Sequence, residues 1–118
     1  MKTKPTILKC TQVENSIELL LRMDADIHYF SGHFPKNPIL PAVAQIDWVL
    51  FYAKQYLNAS FFPFDGMEVI KFQTPILPND EITLAVKWDE AKQKVYFSYT
   101  SDQNKYSSGR IKLSSANV

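Results

Sequence analysis

Ile7 to Val13 and Ser16 to Met23 are rich in apolar and β-branched residues and are parted by Glu14-Asn15. Two such runs broken by a turn-forming pair predict a hairpin of antiparallel strands. Asp24 to Ser31 leads irregularly into Gly32-His33-Phe34-Pro35-Lys36-Asn37-Pro38-Ile39-Leu40-Pro41. Beyond it Val43, Ile46, Val49, Leu50, Ala53 and Leu57 recur at helical spacing, and Pro41 suits a first turn, where its missing N–H costs nothing. A long, largely buried helix is expected from there to about Leu57, with the proline and glycine of Phe61 to Gly66 marking its exit. Met67 to Ile76, Glu81 to Asp89, Lys94 to Thr100 and Tyr106 to Leu113 are strand-like in composition and are separated by turn-rich segments.

A hairpin, one helix and a run of antiparallel strands describe an α+β domain whose curved six-stranded sheet packs around the helix. At 118 residues, with no repeat or linker, the chain reads as a single domain over 1–118. Apolar residues at 46% and aromatics at 14% supply a packed core and leave apolar surface for a subunit interface or an acyl pocket. A net charge of +1, without a Lys/Arg run, argues against a polyanion such as nucleic acid as partner. No apolar run suits a signal peptide or a membrane span, so a cytoplasmic protein is expected. Cys10 is the single cysteine, which excludes an internal disulfide and a cysteine-based metal site; a packed thiol in its strand is expected.

The candidate chemistry lies around the three prolines. They fix the backbone near His33, a residue type whose ordinary pKa lies close to neutrality, and Asp47 follows fourteen positions later on the helix. This reads as a rigid loop presenting an acid/base group beside a buried helix. His28, flanked by aromatics, reads as structural. Lys71, Lys105, Arg110 and Lys112 form a candidate basic patch.

The frame His33-Phe34-Pro35-x-x-Pro38-x-x-Pro41 with an acid at fourteen positions resembles the hotdog-fold 3-hydroxyacyl-acyl carrier protein dehydratases. The resemblance extends to Phe30-x-Gly32, to Gln45 and to Lys71-Phe72-x-x-Pro75-x-x-Pro78-x-Asp80. The run Pro38-Ile39-Leu40-Pro41-x-Val43-x-Gln45-Ile46-Asp47-Trp48 is most similar to the small dehydratases of aryl polyene biosynthesis. Two positions depart from the pattern. Asp47 stands where the short housekeeping enzymes carry Glu and the dehydratase/isomerases carry Asp, and isomerisation is not expected of this short chain. Ala42 stands where the family has Gly, and its methyl group would narrow the approach to the helix start.

The resemblance implies dehydration of 3-hydroxyacyl thioesters carried on acyl carrier protein, in fatty acid or aryl polyene biosynthesis, with no metal and no cofactor. Elimination of water needs a base for the C2 proton, an acid for the departing hydroxyl and donors for the thioester oxygen. His33 is the implied base. Asp47 is the implied acid or holder of a water, on the expectation that burial under the helix keeps a proton available. The N–H groups of Ala42 and Val43 are the implied thioester donors, with Gly32 giving a close backbone contact. Phe34, Trp48, Phe51 and Phe72 are expected to line the acyl tunnel. The family pairs the two acid/base residues across a dimer interface, so a homodimer, a higher assembly of dimers, or a heterodimer with a related hotdog subunit is implied. Two other readings stay open: a hotdog thioesterase, and a non-catalytic acyl-binding subunit of a heterodimeric dehydratase.

Overall fold

The structure, a computed structural model, describes residues 1–31, 38–57 and 64–114. Two strands open it, β1 (Thr6–Val13) and β2 (Ser16–Arg22), followed by a single 3-10 turn at His28–Phe30. Then come the helix α1 (Ala42–Tyr56) and the strands β3 (Phe64–Phe72), β4 (Glu81–Asp89), β5 (Lys94–Thr100) and β6 (Lys105–Leu113). All strands pair antiparallel in one six-stranded sheet of order β1-β2-β4-β5-β6-β3. This is the expected α+β architecture, and the turn at Glu14 takes the positive φ of 44° that a two-residue hairpin turn requires.

Period-two burial sets the core. Ile17, Leu19 and Leu21 of β2, Ile82, Leu84, Val86 and Trp88 of β4, and Val95, Phe97 and Tyr99 of β5 all point to one buried face. Helix α1 lies against β4 and β5. It buries Ala44, Gln45, Trp48, Val49, Tyr52 and Ala53, the spacing of a single helical stripe. Burying a large apolar side chain contributes about 1.5–3 kcal/mol, so this stripe is the main attachment of the helix.

Four local expectations are corrected. The helix is not largely buried, because one sheet covers only one of its faces: Val43 is 73% exposed, and Asp47 and Phe51 are exposed with it. Cys10 is exposed rather than packed, since β1 lies at the sheet edge and nearly all its residues face solvent. The strand expected at Met67 to Ile76 instead spans Phe64–Phe72. It ends where the N–H groups of Gln73 and Thr74 both donate to the Tyr106 carbonyl, just ahead of Pro75. Gly66 therefore does not mark the helix exit. It sits inside β3 at a register shift, with a φ of +131° that favours glycine.

The N-terminal segment straps the helix to the sheet. His28 N–H donates to the Lys2 carbonyl at 2.7 Å, and Trp48 Nε1 donates to the Thr3 carbonyl at 2.9 Å. Asp24, nearly buried, accepts from Thr6 N–H at 3.1 Å and from the Thr6 hydroxyl, and pairs with Arg22 at 2.7 Å and Lys2 at 2.9 Å.

Candidate active site

Helix α1 starts because Pro41, extended at φ −62° and ψ 151°, caps it and offers its carbonyl to the N–H groups of Ala44 and Gln45 at 3.1 and 3.2 Å. The first N–H groups of any helix have no carbonyl inside it to donate to, and the helix dipole makes that end positive. Ala42 and Val43 occupy this end. Val43 and Asp47 are four residues apart, so they lie one above the other on the face that the sheet leaves uncovered.

That face forms one wall of a groove of about 490 Å³ between α1 and the edge strand β3. Ala42, Val43, Ile46, Asp47 and Leu50 line it from the helix, and Met67, Ile70 and Phe72 line it from the strand. Among these residues Asp47 alone carries a charge. A cleft of about 290 Å³ adjoins the groove: it shares Ala42 and Phe72 and continues past Leu40, Gln45, Gln73 and Thr74. An apolar chain fits the first space.

The structure brings Ala42, Val43, Asp47 and Phe72 to this single groove. It does not bring Trp48 there. That indole is fully buried in the core, one position round the helix from Asp47, with its N–H used by Thr3. Phe51 is also outside the groove lining. It is 42% exposed and lies under Lys4, whose Nζ stands 4.4 Å from the ring centroid. His33, Gly32 and Phe34 lie outside the described residues. Asp47 is exposed in the single chain, so the burial expected of it is absent unless a second subunit covers the groove.

Of the candidate basic patch, Arg110 is committed to Glu68, whose Oε1 lies 3.0 Å from Arg110 Nε and 2.9 Å from Lys94 Nζ. The hydrogen bond from Lys94, with Arg110 and Lys112 nearby, holds the Glu68 carboxyl below the usual carboxylate range. Lys71, Lys105 and Lys112 remain exposed.

Sequence reasoning gave no role to Gln45. It is buried, and its Oε1 accepts from Ser107 Oγ at 2.7 Å while its Nε2 donates to the Leu40 carbonyl at 3.3 Å. Its backbone carbonyl accepts from the Tyr99 hydroxyl at 2.7 Å. Burial, with Tyr52 and Asp47 adding, raises the Tyr99 phenol well above its ordinary pKa, so it stays a donor. A readable signal existed: Gln45 lies three and four residues before Trp48 and Val49, on the apolar stripe.

Residues 9–110 match the family model described as ApeI-like, ApeI dehydratase. A chain of the dehydratase heterocomplex ApeI:P from Xenorhabdus doucetiae superposes with a TM-score of 0.89 at 38% identity, covering 96% of this chain and 100% of that one. An uncharacterized protein from Erwinia carotovora subsp. atroseptica superposes at 0.78, also 38% identical, covering 97% and 96%. The 3-hydroxyacyl-(acyl-carrier-protein) dehydratase FabZ of Clostridium botulinum is 30% identical over 71 residues, 55% of this chain and 49% of that protein. The chain spans about half the length of that relative, and 64% of the length of the one from Polynucleobacter asymbioticus. With a family match over most of its length and a near-complete superposition on a chain of that dehydratase heterocomplex, the protein has the hotdog fold and belongs to the ApeI-like dehydratase family.

Proposed function

We propose that the protein removes water from 3-hydroxyacyl thioesters carried on acyl carrier protein, giving trans-2-enoyl thioesters. The observation that carries this reading is Asp47: a lone carboxyl opening onto an apolar groove, on the same helix face as the start of α1. The acyl chain lies between α1 and β3. The thioester oxygen accepts from the N–H groups of Ala42 and Val43, each such donor contributing about 3 kcal/mol to barrier lowering. His33 takes the C2 proton, the electron pair forms the C2–C3 double bond, and the C3–O bond breaks as Asp47 protonates the hydroxyl, which leaves as water.

The site is shared between subunits. Val43 and Met67, 73% and 53% exposed, are apolar residues that water would not leave bare beside the unpaired edge of β3, and a second hotdog subunit laid there encloses the groove. His33 of one subunit then serves Asp47 of the other. The same enclosure supplies the burial that Asp47 lacks in the single chain. The name of the Xenorhabdus relative, a heterocomplex, supports a related but different hotdog subunit as partner, and with it a second reading in which this chain supplies only part of the site. The setting is fatty acid or aryl polyene synthesis in the cytoplasm.

The test is a mass-spectrometric assay with 3-hydroxyacyl-carrier-protein substrates, following water loss and free acid separately. His33→Ala and Asp47→Asn are each expected to lower water loss by roughly 10²- to 10⁴-fold. Release of free acid without water loss favours a thioesterase. No turnover by a folded dimer of this chain, restored by a related hotdog subunit, establishes the partial-site reading.

A further inference from the structure

The buried carboxamide of Gln45 has no packing reason to be there. Its position on α1 belongs to the apolar stripe, where a leucine or methionine of similar size would fill the same space without polar atoms to satisfy. Both ends of the amide are nonetheless bonded, and to different parts of the fold. Oε1 takes the Ser107 hydroxyl of β6, and Ser107 is paired in register with Phe72, a wall of the groove. Nε2 reaches the Leu40 carbonyl, and Leu40 N–H donates in turn to the Ile76 carbonyl at 2.9 Å. Leu40 is thus held from both sides, at the end of the proline-spaced segment and two residues before the helix.

We propose that Gln45 is a positioning residue: its carboxamide sets the end of that loop against the start of α1 and the β3 wall. This inference rests on the dehydratase reading of the groove. The thioester donors at Ala42 and Val43 are then held in one frame with Leu40 by a side chain that touches neither substrate nor reacting atom. Two bonds through a rigid planar amide fix distance and orientation together, which an apolar contact does not. The Tyr99 hydroxyl on the Gln45 carbonyl holds the first turn of the helix in the same frame.

Gln45→Met keeps the volume and removes both side-chain bonds. Val49→Ala, a void in the same buried stripe with no polar contact, is the control for lost stability. In the dimer or complex that shows wild-type turnover, Gln45→Met is expected to lower kcat roughly 10- to 100-fold with KM little changed, well beyond Val49→Ala at matched stability. Hydrogen exchange of the peptide spanning 38–44 is expected to speed up in Gln45→Met and not in Val49→Ala. A kcat loss no greater than the control's, or unchanged exchange over 38–44, overturns the proposal. If the wild-type protein does not dehydrate, the reaction reading fails by itself. The exchange comparison then still decides whether Gln45 holds the loop, with loss of protection supporting it and unchanged protection refuting it.

Discussion

The indole N–H of Trp48 donates to the carbonyl of Thr3 across 2.9 Å, tying the N-terminal segment to the middle of α1. Trp48 is fully buried, and Tyr29 meets its ring edge-on with centroids 6.5 Å apart. The sheet covers one side of the helix, and the strap through Lys2, Thr3 and Lys4 reaches it from another. Trp48 serves this closure, while its neighbour Asp47 faces the groove.

Trp48→Phe should therefore behave as a stability variant. It leaves a void and an unpaired carbonyl, and urea unfolding is expected to show a loss of about 2–3 kcal/mol. Its kcat/KM, measured well below the unfolding midpoint, should stay near that of the parent. A large drop in kcat/KM without loss of stability would return Trp48 to the substrate path.

Acid should release the same strap. Despite the cost of its burial, hydrogen bonds from Thr6, Arg22 and Lys2 hold the Asp24 carboxyl well below the ordinary carboxylate range. As pH falls through about 4, the unfolded chain takes up this proton first. The stability Asp24 contributes is thus fully present above that pH and is lost progressively as pH drops toward the folded value. In Asp24→Asn the acid limb of the stability-pH curve should be shallower than in the parent, and stability at pH 7 lower. Identical acid limbs would remove Asp24 as the cause.

Gly109 should tolerate no side chain. It lies in β6 opposite Ile70, and a Cβ there would run into the Val69 carbonyl and the Ile70 side chain. Ile70 lines the groove. Gly109→Ala is expected to cost about 1–3 kcal/mol and to push β3 outward, lowering both the thermal midpoint and the affinity for a long acyl chain. An unchanged midpoint would show that β3 yields freely.

Assembly should depend on the groove face. Val43→Lys combined with Met67→Lys places two cations where a second subunit is proposed to sit, and leaving charges buried without partners costs several kcal/mol. Sedimentation of the parent at micromolar concentration, alone or with its related subunit, is expected to show a dimer, and the double variant a monomer without dehydratase activity. A double variant that remains dimeric would locate the interface elsewhere.

Much of this architecture was readable from the residues. Strict alternation at Ile82-x-Leu84-x-Val86-x-Trp88 admits only a strand with one buried face, and the strand spans Glu81–Asp89 as the pattern implies. Helical spacing after Pro41 located α1 to within a residue at each end. Asp47 lies on α1 as the helical period implies, because that period is a local property of the chain, while His33 lies outside the described residues. Tertiary structure decided which apolar residues do which work. Trp48 and Phe51 look alike as aromatics on one helix, yet one is core and the other lies outside the groove, a distinction set by where the sheet and the N-terminal strap fall around the helix axis. Cys10 is exposed because its strand ended at an edge, and edge or centre is a property of sheet order that no single strand carries. Gln45 acquired its partners only when Leu40, Tyr99 and Ser107, far apart along the chain in two cases, converged on one turn of helix.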